Sequence, residues 1–202
     1  MNRTGPSSIR CESSSTPVIE QLDHDHTRTT RLGSLSAAIA LVAACPPNAP
    51  YNPPWNSNWK PDGTDHNYLI SSAFNNSLEN NSINHGMDQV NRSVLNASTS
   101  ATWIDVRVIQ AALTGSAGDY RCVENHSNGT CHLSTIRIDT DIGTAGATEA
   151  YWKAVVCHEM GHSSGIGERA SNAPSCIACP ATSAYKSFDS NEVTVINSHF
   201  PS

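Results

Sequence analysis

The chain has 202 residues, of which 15% are charged and 38% are apolar, and its formal net charge at pH 7 is −6. This length suits one domain, with or without a leader, and is sufficient for a hydrophobic core. The sequence contains no cluster of lysine and arginine that could follow a phosphate backbone, which argues against nucleic acid as a partner. The many Asn, Ser and Thr residues are typical of a secreted, loop-rich globular protein.

The N-terminal part of the chain, residues 1–45, has the pattern of an export leader. Residues 32–44 are apolar or small and uncharged, which matches the central region of a signal peptide and is short for a membrane span. Val42 and Ala44 occupy the small-residue positions before a cleavage site, and the V-A-A-C run ending at Cys45 is similar to a bacterial lipobox. We therefore expect a protein that is secreted, or lipid-anchored through Cys45 at the outer face of a bacterial membrane.

A Pro/Asn-rich segment, residues 46–67, separates this leader from the main domain, residues 68–202, and its prolines exclude regular helix. In the domain, apolar side chains recur at helical spacing over residues 84–97 and predict an amphipathic helix. Residues 102–109 alternate between apolar and polar side chains, which predicts a strand, and Ile136–Asp139 is a second, shorter alternating run.

Two further helices are predicted in the C-terminal half of the chain. The first covers residues 147–164, with Thr144 or Thr148 as its N-cap. The second follows Asp189, which forms the D-x-x-E pattern of a capping box with Glu192. Helix, strand, strand and helix in this order predict an α+β fold, in which a small sheet backs the first of these two helices.

The strongest functional signal is the H-E-x-x-H run from His158 to His162. On an α-helix, residues i and i+4 lie on one face, so these two imidazoles can bind the same metal ion. Two neutral imidazoles suit Zn²⁺, which also tolerates an open fourth position. Glu159 then lies beside the ion without binding it, where it can act as the general base toward a zinc-activated water.

The residues after this run supply a third candidate ligand. Gly165 can adopt the positive φ that ends a helix and turns the chain back, and Glu168 follows three residues later. The full H-E-x-x-H-x-x-G-x-x-E pattern resembles the metzincin zinc metallopeptidases of the matrixin and snapalysin type. In that family the third ligand is His or Asp, so a Glu is a departure. Glu192 is the alternative third ligand, by analogy with the gluzincins, and the spacing favours Glu168.

The resemblance implies a metzincin-like catalytic domain, with a small twisted mixed sheet backed by the active-site helix and a C-terminal helix. It implies a monomeric, secreted zinc endopeptidase that acts on protein or peptide substrates, and it makes Ile136–Asp139 the edge strand that binds extended peptide. Calcium is a possible further cofactor for which the sequence names no ligands. The alternative is a non-catalytic zinc-binding module that retains the fold and acts in surface interactions.

A second departure from the family concerns the methionine that metzincins place beneath the zinc. The matching region is residues 175–180, and Ile177 or Ala178 takes that position here. An apolar residue of similar volume can fill the space at a small cost in stability. Tyr185, shortly after this region, is a candidate oxyanion donor or a core residue.

The cysteines support export, because a disulfide framework indicates an oxidising compartment. Two disulfides are predicted in the domain: Cys122–Cys131 and Cys157–Cys176. Cys179 pairs with Cys45 if the latter is not lipidated. The alternatives are free thiols in a cytosolic protein, or a Cys/His zinc site that includes Cys179. His126 and His132, in or beside the loop between the first pair of cysteines, are interpreted as surface or hydrogen-bonded residues.

Overall fold

A computed structural model of the protein describes residues 48–142 and 146–200. The leader predicted for residues 1–45, with its lipobox at Cys45, and the candidate N-cap Thr144 lie outside the described residues. Within the described ranges, no helix has both the length and the apolar character that crossing a bilayer requires.

The described residues form a five-stranded mixed sheet with strands β1 Asp65–Ile70, β2 Asn96–Thr99, β3 Val106–Ala111, β4 Gly118–Asn125 and β5 Cys131–Asp139. The strands pair in the order β2-β1-β3-β5-β4. β1 is parallel to β2 and β3, β3 is parallel to β5, and β4 is antiparallel to β5. On β3, buried Val106 and Val108 alternate with exposed Arg107, so one face of this strand enters the core.

Three α-helices accompany the sheet: α1 Ser77–Val90, α2 Glu149–Ser163 and α3 Ser190–His199. α1 packs closely on α2 at Gly86, where a Cβ atom would lie 2.5 Å from Sδ of Met160. The buried side chains of the helices and of the sheet form a common hydrophobic core. The predicted α+β class with a small mixed sheet is therefore confirmed.

The first helix differs from its predicted range, 84–97, because α1 begins at Ser77 and ends at Val90. Asn76 Oδ1 accepts a hydrogen bond from the Glu79 N–H, and the Glu79 carboxylate accepts one from the Asn76 N–H. This capping box starts the helix before the apolar residues that were used to place it. The last residues of the predicted range form a turn and the start of β2 instead.

The two later helices agree with the prediction to within a few residues. α2 lies inside the predicted range, 147–164, and the Thr148 side chain accepts a hydrogen bond from the Tyr151 N–H as its N-cap. α3 begins after Asp189, whose side chain accepts hydrogen bonds from the backbone, and Glu192 completes the capping box. In both cases a capping residue stands directly before the helix.

One strand begins later than predicted, and another lies where no strand was predicted. β3 begins at Val106, because the Ser100 hydroxyl accepts a hydrogen bond from the Trp103 N–H and holds the preceding residues in a turn. β1 Asp65–Ile70 begins inside the range 46–67, which was predicted to be an extended segment without a strand of the sheet. The described residues before β1 belong to no strand of the sheet, and Ser57–Trp59 among them form one turn of 3₁₀ helix.

The prediction that Ile136–Asp139 is the edge strand is wrong. These residues are the end of β5, which begins at Cys131 and lies between β3 and β4. A tight turn joins β4 to β5, in which the Gly129 N–H donates to the His126 carbonyl. Because this hairpin adds β4 on the outer side of β5, β4 is the edge strand of the sheet.

Residues 50–62, which we call the strap, lie across the C-terminal end of α2. The Asn56 N–H donates to the Gly165 carbonyl at 2.8 Å, and the Gly167 N–H donates to the Pro54 carbonyl at 2.8 Å. These bonds resemble a short antiparallel ladder and hold the strap against the loop that follows α2.

The structure contains both disulfides predicted for the domain, Cys122–Cys131 and Cys157–Cys176. Cys179 is also disulfide-bonded, so the alternatives of free thiols and of a zinc site that includes Cys179 are wrong. Cys45, the partner considered for Cys179, lies outside the described residues. Disulfides of this kind are typical of proteins that fold in an oxidising compartment.

A buried ion cluster joins the loop after α2 to α3. Arg169 is 0% exposed, and its guanidinium donates to Asp189 Oδ2 at 2.8 Å and to Glu192 Oε1 at 2.5 Å. Its Nε donates to the Tyr51 carbonyl of the strap at 2.8 Å. Arg169 therefore holds three separate segments around one buried charge.

We expect the Arg169→Ala variant to be strongly destabilised, because it leaves the buried Glu192 carboxylate without its cation. Removing one partner of a buried ion pair costs about 3–5 kcal/mol of unfolding free energy. The matched control is Arg121→Ala, whose partner is Asp119 and whose side chain is 63% exposed. That change should cost about 1 kcal/mol or less. Urea unfolding of the three proteins measures both values, and equal losses would contradict the role assigned to Arg169.

Candidate metal centre

α2 places His158 and His162 side by side in the interior. Each residue is 4% exposed, and the two ring centroids lie 4.6 Å apart with nearly perpendicular planes. The i, i+4 spacing brings both rings to the same face of the helix, as the sequence predicted. The two imidazoles therefore share one small volume at the C-terminal end of α2.

The end of α2 is fixed to the sheet through Ser163. Its hydroxyl lies 3.1 Å from His66 Nε2 and 3.1 Å from the Tyr68 hydroxyl, both on β1. Burial lowers the pKa of His66 to about 4, so this ring is neutral at physiological pH. The helix turn that carries His162 therefore cannot shift without breaking contacts to β1.

Gly165 turns the chain back toward the two histidines. Its φ is +89°, and a Cβ atom there would lie 2.6 Å from the Trp55 ring of the strap. The Gly165 N–H donates to the His162 carbonyl, and the Ile166 N–H donates to the Gly161 carbonyl, which are the bonds of a helix C-cap with a left-handed residue. Any side chain at this position would be strained and would also collide with Trp55.

This turn returns the Glu168 carboxylate to the two imidazoles. Glu168 Oε2 lies 3.3 Å from His158 Nε2, and Glu168 Oε1 lies 3.3 Å from His162 Nε2. One nitrogen of each ring and one carboxylate oxygen all fall within 4.8 Å of one another. The structure therefore brings together the three predicted metal ligands.

The three side chains fit a zinc ion. Zinc binds imidazole nitrogen at about 2.0–2.1 Å, so neighbouring ligand atoms of a tetrahedral site lie about 3.3–3.4 Å apart. Glu168 Oε1 by itself lies 3.4 Å from His158 Nε2 and 3.3 Å from His162 Nε2. Glu168 Oε2 is buried and accepts no hydrogen bond from any described residue. A cation held between the two imidazoles and the carboxylate would give this buried oxygen a partner.

Hydrogen bonds to backbone carbonyls set the tautomer of both rings. His158 Nδ1 lies 2.8 Å from the Cys176 carbonyl oxygen, and His162 Nδ1 lies 2.8 Å from the Ile166 carbonyl oxygen. Because a carbonyl only accepts, each Nδ1 carries a proton and donates it. Each Nε2 is therefore available as a ligand, which is the usual support for histidines that bind a metal.

The charges of these groups are strongly coupled. Burial lowers the pKa of His158, but the Glu168 carboxylate outweighs burial and raises the pKa to about 9. Burial raises the pKa of Glu168, and the two histidines hold it well below its usual range. A cation bound by these atoms has to displace the proton from His158. Metal binding at neutral pH should therefore release a proton.

Glu159 is buried next to the candidate ligand His158 but is not one of the three converging groups. Burial raises the pKa of its carboxyl. It borders a cavity of about 20 Å³ whose lining also includes His158 and Pro180, and this volume is enough for about one water molecule. Gly118 on β4 makes room for it, because a Cβ there would lie 2.8 Å from Glu159 Oε1.

Two aromatic residues complete the site and were missed from the sequence. The Trp59 ring of the strap lies 4.8 Å from the His162 ring, and Tyr120 on β4 packs edge-on against Trp59 at 5.4 Å. Together they cover one side of the imidazole and exclude water there. Trp59 stands in a Pro/Asn-rich segment without periodicity, so its spacing carries no signal that points to the site.

The structure also places the remaining candidates. Ile177 is fully buried and packs against α2 between the two histidines, since a Cβ at Gly161 would lie 1.9 Å from Ile177 Cδ1. Ile177 therefore packs directly against the helix that carries the two histidines, at the residue before His162. Glu192, the alternative third ligand, is bound to Arg169 in the cluster described above and does not reach the histidines. Tyr185 is 37% exposed and is not a core residue.

No protein-family model matches the chain, and none of the curated proteins shows significant similarity to it.

We expect Glu168→Ala to weaken zinc binding at this centre by at least about 100-fold, since even a supporting residue outside the ligand set costs 10–100-fold. The affinity is measured by zinc titration against a competing chelator. The zinc ion whose binding is lost in His158→Ala is the one that belongs to this centre. The matched control is Glu149→Ala at the exposed start of the same helix, where Glu149 pairs only with Lys153. Unchanged affinity in Glu168→Ala would remove Glu168 from the ligand set.

Proposed function

We propose that the protein is an exported zinc-dependent endopeptidase of the metzincin type, which hydrolyses peptide bonds with Glu159 as the general base. One observation carries this proposal. Nε2 of His158 and Nε2 of His162 each lie 3.3 Å from the Glu168 carboxylate, the three ligand atoms fall within 4.8 Å of one another, and the Glu159 carboxyl is buried beside them. Glu168 takes the place of the third family ligand, and Ile177 takes that of the methionine.

Zinc bound by the three ligands would act as a Lewis acid, which lowers the pKa of a water molecule and polarises the carbonyl of the substrate. The protein supplies the proton transfer. Glu159 takes a proton from the attacking water and delivers it to the leaving amine. Burial raises the pKa of Glu159, which brings the carboxyl closer to the pH at which it has to work, and the adjacent cavity has room for one water.

The edge strand β4 is the part of the sheet that suits an extended substrate. Gly118, its first residue, lies against Glu159, and Tyr120 lies near the zinc ligand His162. No described strand pairs with the outer edge of β4, so its backbone groups can bind a peptide by strand addition. We therefore assign to β4 the substrate-binding role that the sequence suggested for Ile136–Asp139.

The alternative function, a zinc-binding module without catalysis, is favoured by the chemistry of Glu168. A carboxylate in place of a neutral imidazole adds a negative charge to the metal centre. This charge reduces the Lewis acidity of a bound zinc ion and makes its water less acidic. Both functions require zinc, and they differ in whether the protein cleaves peptides. Secretion, or a lipid anchor at Cys45, is part of either proposal.

Glu159→Gln should abolish cleavage of casein and retain zinc, because the amide fills the same volume but cannot accept the proton. Loss of a general base lowers the rate by about 10²–10⁴-fold. Glu149→Gln, an exposed change on the same helix, is the matched control and should cleave at the wild-type rate. A wild-type protein that binds zinc at the centre but cleaves no peptide would establish the non-catalytic module instead.

Glu168→His should raise kcat/KM at neutral pH and shift the active pH range downward. A neutral third ligand leaves more positive charge on the metal, so the attacking water loses its proton at lower pH. The pH profile of kcat/KM is the measurement. Glu168→Asp keeps the charge and is the control, which should retain the wild-type pH range. If the Glu168→His profile matches the wild-type one, the charge of the third ligand does not limit the reaction.

A further inference from the structure

A second group of metal-binding side chains lies outside the centre described above. Asp62 belongs to the end of the strap, His126 to the turn between β4 and β5, and His132 to β5. Asp62 Oδ2 lies 2.9 Å from His126 Nε2 and 2.9 Å from His132 Nδ1. The two rings are 4.5 Å apart, and the three ligand atoms all fall within 4.8 Å of one another.

The backbone positions that carry these three side chains are held together. The Cys122–Cys131 disulfide closes the hairpin that carries both histidines. The Cys131 N–H donates to the Lys60 carbonyl at 2.8 Å, and Pro61 forms a parallel bridge with Cys131. The strap is therefore paired with β5 immediately before Asp62 on one side and immediately before His132 on the other. The positions of the backbone segments that carry the cluster are therefore set by a disulfide and by backbone pairing.

The donor set is that of a zinc site. Two imidazole nitrogens and one carboxylate oxygen are common zinc ligands, and water can occupy the fourth position. Ligand atoms about 2.0–2.2 Å from an ion lie more than 3 Å apart, so the 2.9 Å contacts have to lengthen slightly. The side chains of His126 and His132 are 46% and 52% exposed, which gives them the freedom to do so.

An ion can reach this cluster from solvent. Asp62 and His132 line an open cavity of about 510 Å³, whose wall also contains Asp65, Asp105 and Glu124. These carboxylates outnumber the guanidinium of Arg107 in the same wall, so the cavity attracts cations toward the cluster. The exposed side of the two imidazoles is therefore both accessible and electrostatically favourable for a divalent ion.

We propose that Asp62, His126 and His132 form a second zinc site, which fastens the strap to the β4–β5 hairpin. Asp62 comes three residues after Trp59, whose ring lies 4.8 Å from the His162 ring. An ion at the second site fixes the end of the segment that carries this ring. The second site is thus structural, and it holds the aromatic cover of the first centre in position.

The test counts zinc ions bound per full-length chain. The protein is stripped with a chelator and reloaded with Zn²⁺ alone, weak surface binding is removed by a low-affinity chelator, and zinc is measured by mass spectrometry. We expect two ions in the wild type and one in His126→Ala/His132→Ala. His85→Ala, which removes a histidine that instead bonds to the Lys186 carbonyl, is the control and should retain two. Two ions in His126→Ala/His132→Ala, or a zinc count that this double substitution does not lower relative to the wild type, would overturn the proposal.

A second measurement isolates the site from the first centre and from any activity. In the His158→Ala/His162→Ala background, zinc should still raise the Tm, and Asp62→Asn should weaken the remaining zinc affinity at least 10-fold. The asparagine retains an oxygen that accepts hydrogen bonds but lacks the charge that a metal requires. A Tm that does not respond to zinc in this background would show that the cluster is only a hydrogen-bonded Asp–His pair. Peptidase activity reports on the first centre, so a loss of activity alone does not change the conclusion about the second site.

Discussion

The structure depends on the reversal of the chain at Gly165. Before this residue α2 carries two imidazoles on one face, and after it the chain returns the Glu168 carboxylate to the same point. Three groups that prefer a common cation are thereby held within 4.8 Å. The positive φ of Gly165 and the Trp55 ring pressed against it leave no room for a side chain. The geometry of the metal centre is thus a consequence of one backbone turn.

The loop after that turn is held by restraints of three different kinds. The Cys157–Cys176 disulfide ties it covalently to α2, directly before the first ligand. The Cys176 carbonyl accepts the Nδ1 proton of His158, so the same residue also orients the ring. Arg169, the residue after Glu168, is fixed by the carboxylates of Asp189 and Glu192 in the α3 capping region. A ligand on an irregular loop can be positioned accurately when its neighbours are constrained in this way.

The strap links the two candidate zinc sites. Its first part bonds to the loop after α2, Trp59 in its middle covers His162, and Asp62 at its end joins the hairpin histidines. The strap has few backbone bonds of its own, so its position depends on these contacts. A cation bound by Asp62 would restrain the end of this segment directly, and contacts with the first centre restrain it only through Trp59.

Much of the candidate site could be read from the sequence, because its signals are local. The helical period alone places the rings of His158 and His162 on one face. A glycine followed three residues later by a carboxylate indicates a turn that brings the chain back toward that face. The capping residues Thr148 and Asp189 placed the ends of two helices for the same reason. The Cys122–Cys131 and Cys157–Cys176 disulfides could also be inferred, because each pair of cysteines lies at the two ends of a loop-containing segment of the sequence.

Contacts between distant segments were decided only by the tertiary structure. The order of the strands made β4 rather than Ile136–Asp139 the edge, since strand pairing is not encoded in the alternation of a single strand. Trp59 and the cluster at Asp62 meet their partners across 64 to 103 residues of sequence, and no local pattern marks them. The sequence alone shows which residues of α2 and of the turn after it can bind one metal ion together. Residues from other segments, such as Trp59, reach this site only through packing, because these contacts form when the sheet and the strap come together.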